Sequence, residues 1–393
     1  MPKAIVMGGS LGGLSAALYL RDAGFDVRVF ERSIEPLEGQ GAGIVLNPYT
    51  VRYLTDHDAI DVEEISVSTS YLRYIDCHNN VVAEVASPYR FASYTSLYSS
   101  LLSLLGTENY HLSQRVISFE QREKSVSIHT AQGIQEDSDL LVCADGIGSD
   151  ARLWLMGETS ANYSGYIAWR GIIGEANVSD EALRLLEDAI IYHILPDGHL
   201  LTYPIPAVEN GLSERKRYIN WLWYRNVPAG HNLEVLMTDV RGTTRNLSVA
   251  PGSVVDEQVA RLKADAKLLP NLLRQLIELT EHPFIQAVYD YEITQMAFGR
   301  VCIIGDAAFS VRPHTATGTA KAVEDARQLG LSLRMCHNDV TSALPLWEDK
   351  QLKLGQELVR RSRKAGTKLQ DGTWPVGAPL AFGLYEQGDS EML

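Results

Sequence analysis

The sequence predicts an α/β fold: a parallel sheet of short buried strands, interrupted by a second domain built on a mixed sheet and closed by C-terminal helices. Three observations predict it. Residues 4–7 (AIVM), 139–143 (DLLVC) and 300–304 (RVCII) are short apolar runs, as strands covered on both faces require. Each run ends in glycine or aspartate: GGSLGG at 8–13, ADG at 144–146 and GD at 305–306. Between them lie alternating, aromatic-rich stretches such as YINWLWYRNV, typical of strands with one covered face.

The first element is a strand–helix–strand unit. Leu14, Ala17, Leu18 and Leu20 give the helix one apolar face and Gly24 ends it. Asp26 to Phe30 form the second strand, with Glu31 at its carboxyl end. The turn departs from the pattern G-x-G-x-x-G at one place, where Ser10 replaces the second glycine. In that pattern the first glycine makes the tight turn, the second lets a diphosphate approach, and the third lets helix pack on strand. Ser10 therefore touches only the second role, and its hydroxyl can donate to a phosphate oxygen beside the N–H groups of the helix N-terminus. Glu31 follows Gly8 by 23 residues, where a carboxylate meets ribose hydroxyls and disfavours a 2′-phosphate. NAD or the adenosine half of FAD is expected here rather than NADP. Arg32 reads as a solvated charge at the strand end.

The second and third strand ends extend the argument. Asp145-Gly146 alone reads as a turn. Asp306 precedes a proline-containing loop and a helix beginning at Thr317 or Gly318, with Ala320, Val323, Leu329 and Leu331 along it. An acid at a strand end accepts hydrogen bonds from a polyol, and a helix N-terminus stabilises negative charge on a reduced flavin. Three such ends on one sheet imply a long cofactor laid across them, and FAD is the candidate. Asp306 should then govern retention of FAD, and Asp325 on the following helix should matter less.

The chain divides into a nucleotide domain, residues 1–65, 96–160 and 285–393, and a substrate domain, residues 66–95 and 161–284. Helices are expected over 256–281 and about 341–368. In the substrate domain His199, Leu201 and Tyr203 alternate to one strand face, and Trp221 and Trp223 share a face of another. Ordinary sheet packing explains any one of them equally well. His314, between Pro313 and the helix turn, is the first candidate for accepting a proton from a ring hydroxyl near neutral pH, with Tyr203 and His199 next.

These motifs together resemble the group A, single-component FAD monooxygenases, the flavoprotein aromatic hydroxylases. The resemblance rests on the first turn, on Ala144-Asp145-Gly146 with Ser149 and Arg152, on Gly305-Asp306, on GAGIVLNP at 41–48 and on the step from Pro313 to Asp325. It implies a p-hydroxybenzoate hydroxylase-like architecture, with a Rossmann-like FAD domain. The hydroxypyridine hydroxylases, which act on 2,6-dihydroxypyridine or 6-hydroxy-3-succinoylpyridine, are closer still: the likeness extends through GYIAWRG at 165–171, DGHLLTYPIP at 197–206, LMTDVRG at 236–242 and Arg312 to His314. It implies FAD contacts from Gly8, Ser10, Leu11, Gly13, Glu31 and Arg32. Further contacts are implied from Gly43, Val116, Asp145, Asp306, Thr317 and Gly318. Phe309, Ala320 and Tyr98 stand where the wider family has histidine, asparagine and arginine, so their side chains carry no inherited role.

The activity so implied is hydroxylation of a hydroxypyridine ring ortho to its hydroxyl, through a flavin C4a-hydroperoxide, in nicotine or pyridine catabolism. NADH or NADPH would be a transient electron donor and O2 the co-substrate. An FAD oxidase or dehydrogenase, or a flavin-binding protein without turnover, uses the same nucleotide motifs and stays open, as does a homodimer. Other classes are disfavoured. A net charge of −14, from 35 basic and 49 acidic side chains, repels nucleic acid and anionic membranes. Four cysteines without a C-x-x-C pair suggest neither a metal site nor a disulfide framework, and fit a reducing cytoplasm. The apolar stretch after Lys3 is broken by glycines and ends at Arg21 and Asp22, unlike a secretory signal. No apolar run approaches the ~18 residues of a membrane span.

Overall fold

The computed structural model describes residues 1–37, 43–157, 161–207, 217–380 and 382–385. Gly41 and Ala42 of the GAGIVLNP stretch lie outside them. The strand Lys3–Met7 stands in the middle of a six-stranded sheet, parallel to Asp26–Phe30 on one side and to Leu140–Cys143 on the other. Val301–Ile303 extends the sheet in parallel, and both late strands are buried throughout, which is why they read as unbroken apolar runs. Tyr110–His111 and Ala297–Phe298 form the edges. The first helix, Leu11–Asp22, and the helix Gly318–Met335 pack together on this sheet, where a Cβ on Gly330 would lie 3.0 Å from the Tyr19 carbonyl oxygen.

Parallel neighbours bring their carboxyl ends to one edge. Residues 8, 145 and 306 therefore meet although the chain separates them by more than a hundred residues each time. The contact is close: Gly8 has φ +98°, and a Cβ there would lie 2.5 Å from the Ala144 carbonyl oxygen.

The second sheet has nine strands, two of which the sequence reading places in the nucleotide domain. Gly43–Leu46 pairs antiparallel with Val81–Ser93, and Phe284–Asp290 pairs antiparallel with Asn162–Gly174. Both segments thus belong to the substrate sheet rather than to the nucleotide-domain stretches 1–65 and 285–393. Each is an edge or near-edge strand whose pairing partner lies far away in the chain, so no local pattern assigns it. The expected helix 256–281 is two helices, Asp256–Asp265 and Asn271–Leu279, separated at Pro270. The last helix runs Val340–Gln370.

The two faces of the nine-stranded sheet have different fates. Trp169, Trp221 and Trp223 face the helices, in one cluster with Leu262, Leu273 and Ile277. Trp221 Nε1 donates to Thr280 Oγ1 at 2.8 Å there. Tyr166, Ala168, Tyr192, Leu201, Tyr203, Leu222 and Tyr224 occupy the opposite face, toward the six-stranded sheet. Asp290 fastens the two parts: its carboxylate, 1% exposed, accepts from Arg312 Nε at 2.7 Å and from Arg363 Nε at 2.9 Å. These two cations hold its acidity stronger than an ordinary aspartate's although burial opposes them. No helix among the described residues is long and apolar enough to cross a membrane.

Candidate active site

One cleft runs along the carboxyl edge of the six-stranded sheet and continues under the nine-stranded sheet. Its nucleotide half encloses about 470 Å³ and its ring half about 320 Å³. Ile147, Gln286 and Asp306 line both halves, so the halves meet at the third strand end.

The nucleotide half is shaped by backbone. A Cβ on Gly13 would lie 1.9 Å from the Gly8 carbonyl oxygen, so the helix seats on the strand only with glycine there. A Cβ on Gly9 would meet the Tyr110 hydroxyl at 2.2 Å. Leu11 turns its side chain into the core, 5% exposed, and contributes its place at the helix N-terminus. Ser10 lines the cleft, with its Oγ 2.8 Å from the Tyr94 hydroxyl. Behind this pair, Tyr98 donates to the Tyr110 hydroxyl at 3.1 Å and Tyr110 donates to the Gly9 carbonyl at 2.9 Å. Tyr98, in the place of the wider family's arginine, is fully buried and so braces the turn from behind. Exposed Arg32 and buried Val116 line the outer part of this half.

The three acids do different work. Glu31 is buried, with Oε2 accepting from Gly9 N at 2.7 Å and Oε1 from Ser33 N at 2.9 Å. Asp145 accepts from the Ser149 hydroxyl at 2.7 Å and from Ala151 N at 3.1 Å, organising the next turn. Asp306 alone is exposed to the cleft, with no hydrogen bond or ion pair to any described residue. Nineteen positions on, Asp325 is fully buried, paired with Lys321, and accepts from Gly305 N at 2.9 Å. It shapes the turn that presents Asp306.

The ring half is built from side chains. Tyr203 donates to the Gly43 carbonyl at 3.1 Å and stacks on Phe91, and burial pushes its hydroxyl up to about 12. Gly43 needs its missing side chain, since a Cβ would meet the Tyr203 ring at 2.7 Å. Thr317, 1% exposed, shares a hydrogen bond of 2.8 Å with the Thr315 hydroxyl, and Gly318 opens the helix pointing at the cavity. His314 lines the cavity, its Nε2 2.8 Å from the Tyr166 hydroxyl. Its Nδ1 has no partner among the described residues and is not enclosed. Burial, reinforced by Arg312, pushes His314 down to about 3, so it stands neutral at working pH and does not titrate near neutrality as the sequence suggested, both the apolar surroundings and the neighbouring cation disfavouring its charged form.

His199 does not reach the cavity. It lies between Tyr192 and Tyr224, fully buried, both ring nitrogens without a partner, and burial drives its pKa well below the usual histidine range. The aromatic rings on the cavity wall, besides His314, are Tyr192, Tyr203, Tyr224, Tyr289 and Phe382. Sequence reading missed all of these but Tyr203. The signal for Tyr224 was present in the alternation Leu222, Tyr224, the face opposite to Trp221 and Trp223.

The residues present fit FAD: a glycine turn at a helix N-terminus for the diphosphate, Glu31 for a ribose, Asp306 for a polyol and a second helix N-terminus beside a flat cavity.

Comparison with known proteins agrees. Residues 280–362 match the FAD binding domain family and residues 163–290 an FAD binding domain-like family. The chain is 39% identical over 382 residues to 2,6-dihydroxypyridine 3-monooxygenase of Paenarthrobacter nicotinovorans, covering 96% of this chain and 95% of that one. It superposes on the solved structure of 2,6-dihydroxypyridine-3-hydroxylase from Arthrobacter nicotinovorans with a TM-score of 0.92 at 38% identity, covering 97% of this chain and 96% of that chain. It shares the fold of Klebsiella pneumoniae HpxO, solved with FAD and uric acid, at a TM-score of 0.77 and 24% identity, covering 94% and 89% of the two chains.

Proposed function

Because the chain belongs to the FAD-dependent monooxygenases of the aromatic hydroxylase family, we propose that it hydroxylates a hydroxypyridine ring, with NADH or NADPH as electron donor and O2 as co-substrate. The single observation that carries this is the continuous cleft, whose nucleotide half meets a flat aromatic cavity at Asp306. A bound flavin supplies the acceptance of electrons from the nicotinamide and the activation of O2. The chain supplies everything else. Glu31 and the Gly8 turn would hold the adenosine end and Asp306 the ribityl chain, and the Gly318 helix N-terminus would stabilise negative charge on the ring system. Tyr192, Leu201, Leu222 and Tyr224 wall the substrate ring away from water.

His314 handles the proton. With Nε2–H donating to Tyr166, Nδ1 offers a lone pair to a ring hydroxyl and draws electron density into the ring. With its charged form so disfavoured, His314 acts as a hydrogen-bond acceptor that polarises the hydroxyl O–H rather than as a base that keeps the proton. A role in pyridine or nicotine catabolism accords with the 2,6-dihydroxypyridine relative, and a cytoplasmic setting with four free cysteines.

The test is a panel of hydroxypyridines scored for accelerated NADH oxidation, with labelled O2 followed into the product. Label in the ring is expected. Substrate-stimulated NADH oxidation without label in product would instead assign an oxidase. In His314→Gln, FAD and substrate still bind but product per NADH falls and hydrogen peroxide rises, because the ring hydroxyl loses the imidazole acceptor that polarises it. Unchanged coupling and rate in that variant remove His314 from the mechanism.

A further inference from the structure

The ring half of the cleft has two chemically distinct ends along a single strand. Tyr166, Ala168 and Arg170 of Asn162–Gly174 alternate to the face that looks toward the six-stranded sheet. Four residues of extended chain separate Tyr166 from Arg170, about 13 Å. Tyr166 holds His314 at one end. Ala168, between them, keeps the floor low enough for a flat ring.

Arg170 stands at the other end and is incompletely used. It lines the cavity, lies 5.6 Å from the Phe284 ring centroid, and among the described residues makes one hydrogen bond, from an Nη atom to Gln286 Oε1 at 3.0 Å. Its Nε is enclosed with no partner among the described residues, and no described carboxylate pairs with it. Its charge still reaches inward: the fields that oppose the rise of the Tyr203 and Tyr224 hydroxyls come from Arg170. A guanidinium whose Nε–H is desolvated and unanswered costs free energy unless a ligand answers it. Asp306, the lone acid on the cavity wall, belongs to the opposite, cofactor side where both halves meet.

We infer that Arg170 is the specificity-determining residue for the substrate's second polar substituent, an anionic oxygen held by the guanidinium while His314 takes the hydroxyl at the far end. The ligand class is a planar ring bearing a hydroxyl and, across the ring, either an ionised ring oxygen or a carboxylate. Both sources offer the same acceptor chemistry to a guanidinium. The inference rests on the ring-hydroxylase reading and sharpens its substrate class: neutral mono-hydroxylated rings leave Arg170 unanswered and bind weakly.

The experiment measures ligand dissociation constants on FAD-loaded protein from the perturbation of flavin absorbance, for wild type, Arg170→Gln and Arg170→Lys. Probes are 2,6-dihydroxypyridine, 6-hydroxynicotinate, 3-hydroxybenzoate and, as the ring lacking a second oxygen, 2-hydroxypyridine. The wild type is expected to hold at least one doubly substituted probe more tightly than 2-hydroxypyridine. Arg170→Gln should weaken that probe by about ten- to a hundredfold, as loss of a charge-assisted hydrogen bond does, with 2-hydroxypyridine and FAD affinity little changed. Arg170→Lys should restore part of the loss. Tighter binding of the dihydroxypyridine assigns the ring oxygen, and of either acid the carboxylate. Equal weakening of all probes in Arg170→Gln, or no preference of the wild type for any anionic probe, overturns the inference. Dependence on Arg170 seen only with 3-hydroxybenzoate keeps it while sinking the hydroxypyridine reading.

Discussion

The two ends of the cleft are built by different means. At the nucleotide end the surface is largely backbone: Gly8 and Gly13 leave no room for side chains, the first helix begins there, and Glu31 is itself fixed by two backbone N–H groups. At the ring end the contacts are side chains gathered from the Gly43, Asn162, Ala189, Gly198 and Arg217 strands and from the His314 loop. Backbone geometry is set within a few consecutive residues. A side-chain cavity exists only after strands distant in the chain have paired.

The carboxylates Asp325 and Asp306 give the sharpest way to break that contrast. Asp325 belongs to the scaffold of the turn, and Asp306 is the residue proposed to meet the cofactor. Asp325→Ala strands the buried Lys321 ammonium and frees Gly305 N, so unfolding of the FAD-stripped protein should become easier by about 3 to 5 kcal/mol. A lowered urea midpoint is the readout, and an unchanged midpoint would place the pair outside the scaffold. Asp306→Ala should leave that midpoint alone and weaken FAD by about 1.5 to 3 kcal/mol, the worth of a charge-assisted hydrogen bond. Fluorescence titration of released FAD reads it, and equal affinity in both proteins would detach Asp306 from the cofactor.

A smaller effect sharpens the ring end. His314 takes no proton until about pH 3, and burial holds His199 well below the usual histidine range, whereas an unfolded histidine takes one near pH 6.5. Between these values the unfolded state binds more protons, so stability falls as pH falls. The slope is up to about 1.4 kcal/mol per pH unit for each histidine. Denaturation midpoints between pH 6.5 and 5, above the range where carboxylates dominate, should therefore vary less in His199→Gln than in wild type. An identical slope would mean that His199 takes up its proton in the folded protein.

What was legible in the sequence follows the same division. The Gly8 turn, the helix Leu11–Asp22, Glu31 and the strand ends at Asp145 and Asp306 could be read because each rests on neighbours in the chain. Ser10 was readable as a tolerated exception, but its Tyr94 partner, 84 residues away, was not. The alternation around Trp221 gave two faces without saying which met the cavity; the helices from Asp256 to Leu279 decide that by covering the tryptophans. His199 shares the favourable alternation with Tyr203 yet sits behind Tyr192 and Tyr224, because cross-strand stacking, not strand parity, fixes its depth. Gly43–Leu46 and Phe284–Asp290 were placed with the wrong domain for want of any local sign of their partners.

The central position of Lys3–Met7 in its sheet carries a consequence for synthesis. Lys3–Met7 finds one neighbour early, in Asp26–Phe30, but its other side waits for Leu140–Cys143 and, beyond that, Val301–Ile303, and its helix rests against Gly318–Met335. At about 5 to 20 residues per second, this unit waits tens of seconds before the last of these is made. Such long-range pairing is slow, and one edge of AIVM stays open until Leu140–Cys143 arrives. A nascent chain halted before residue 300 thus carries a glycine turn already able to close on Ala144 but lacks the strand end that presents Asp306.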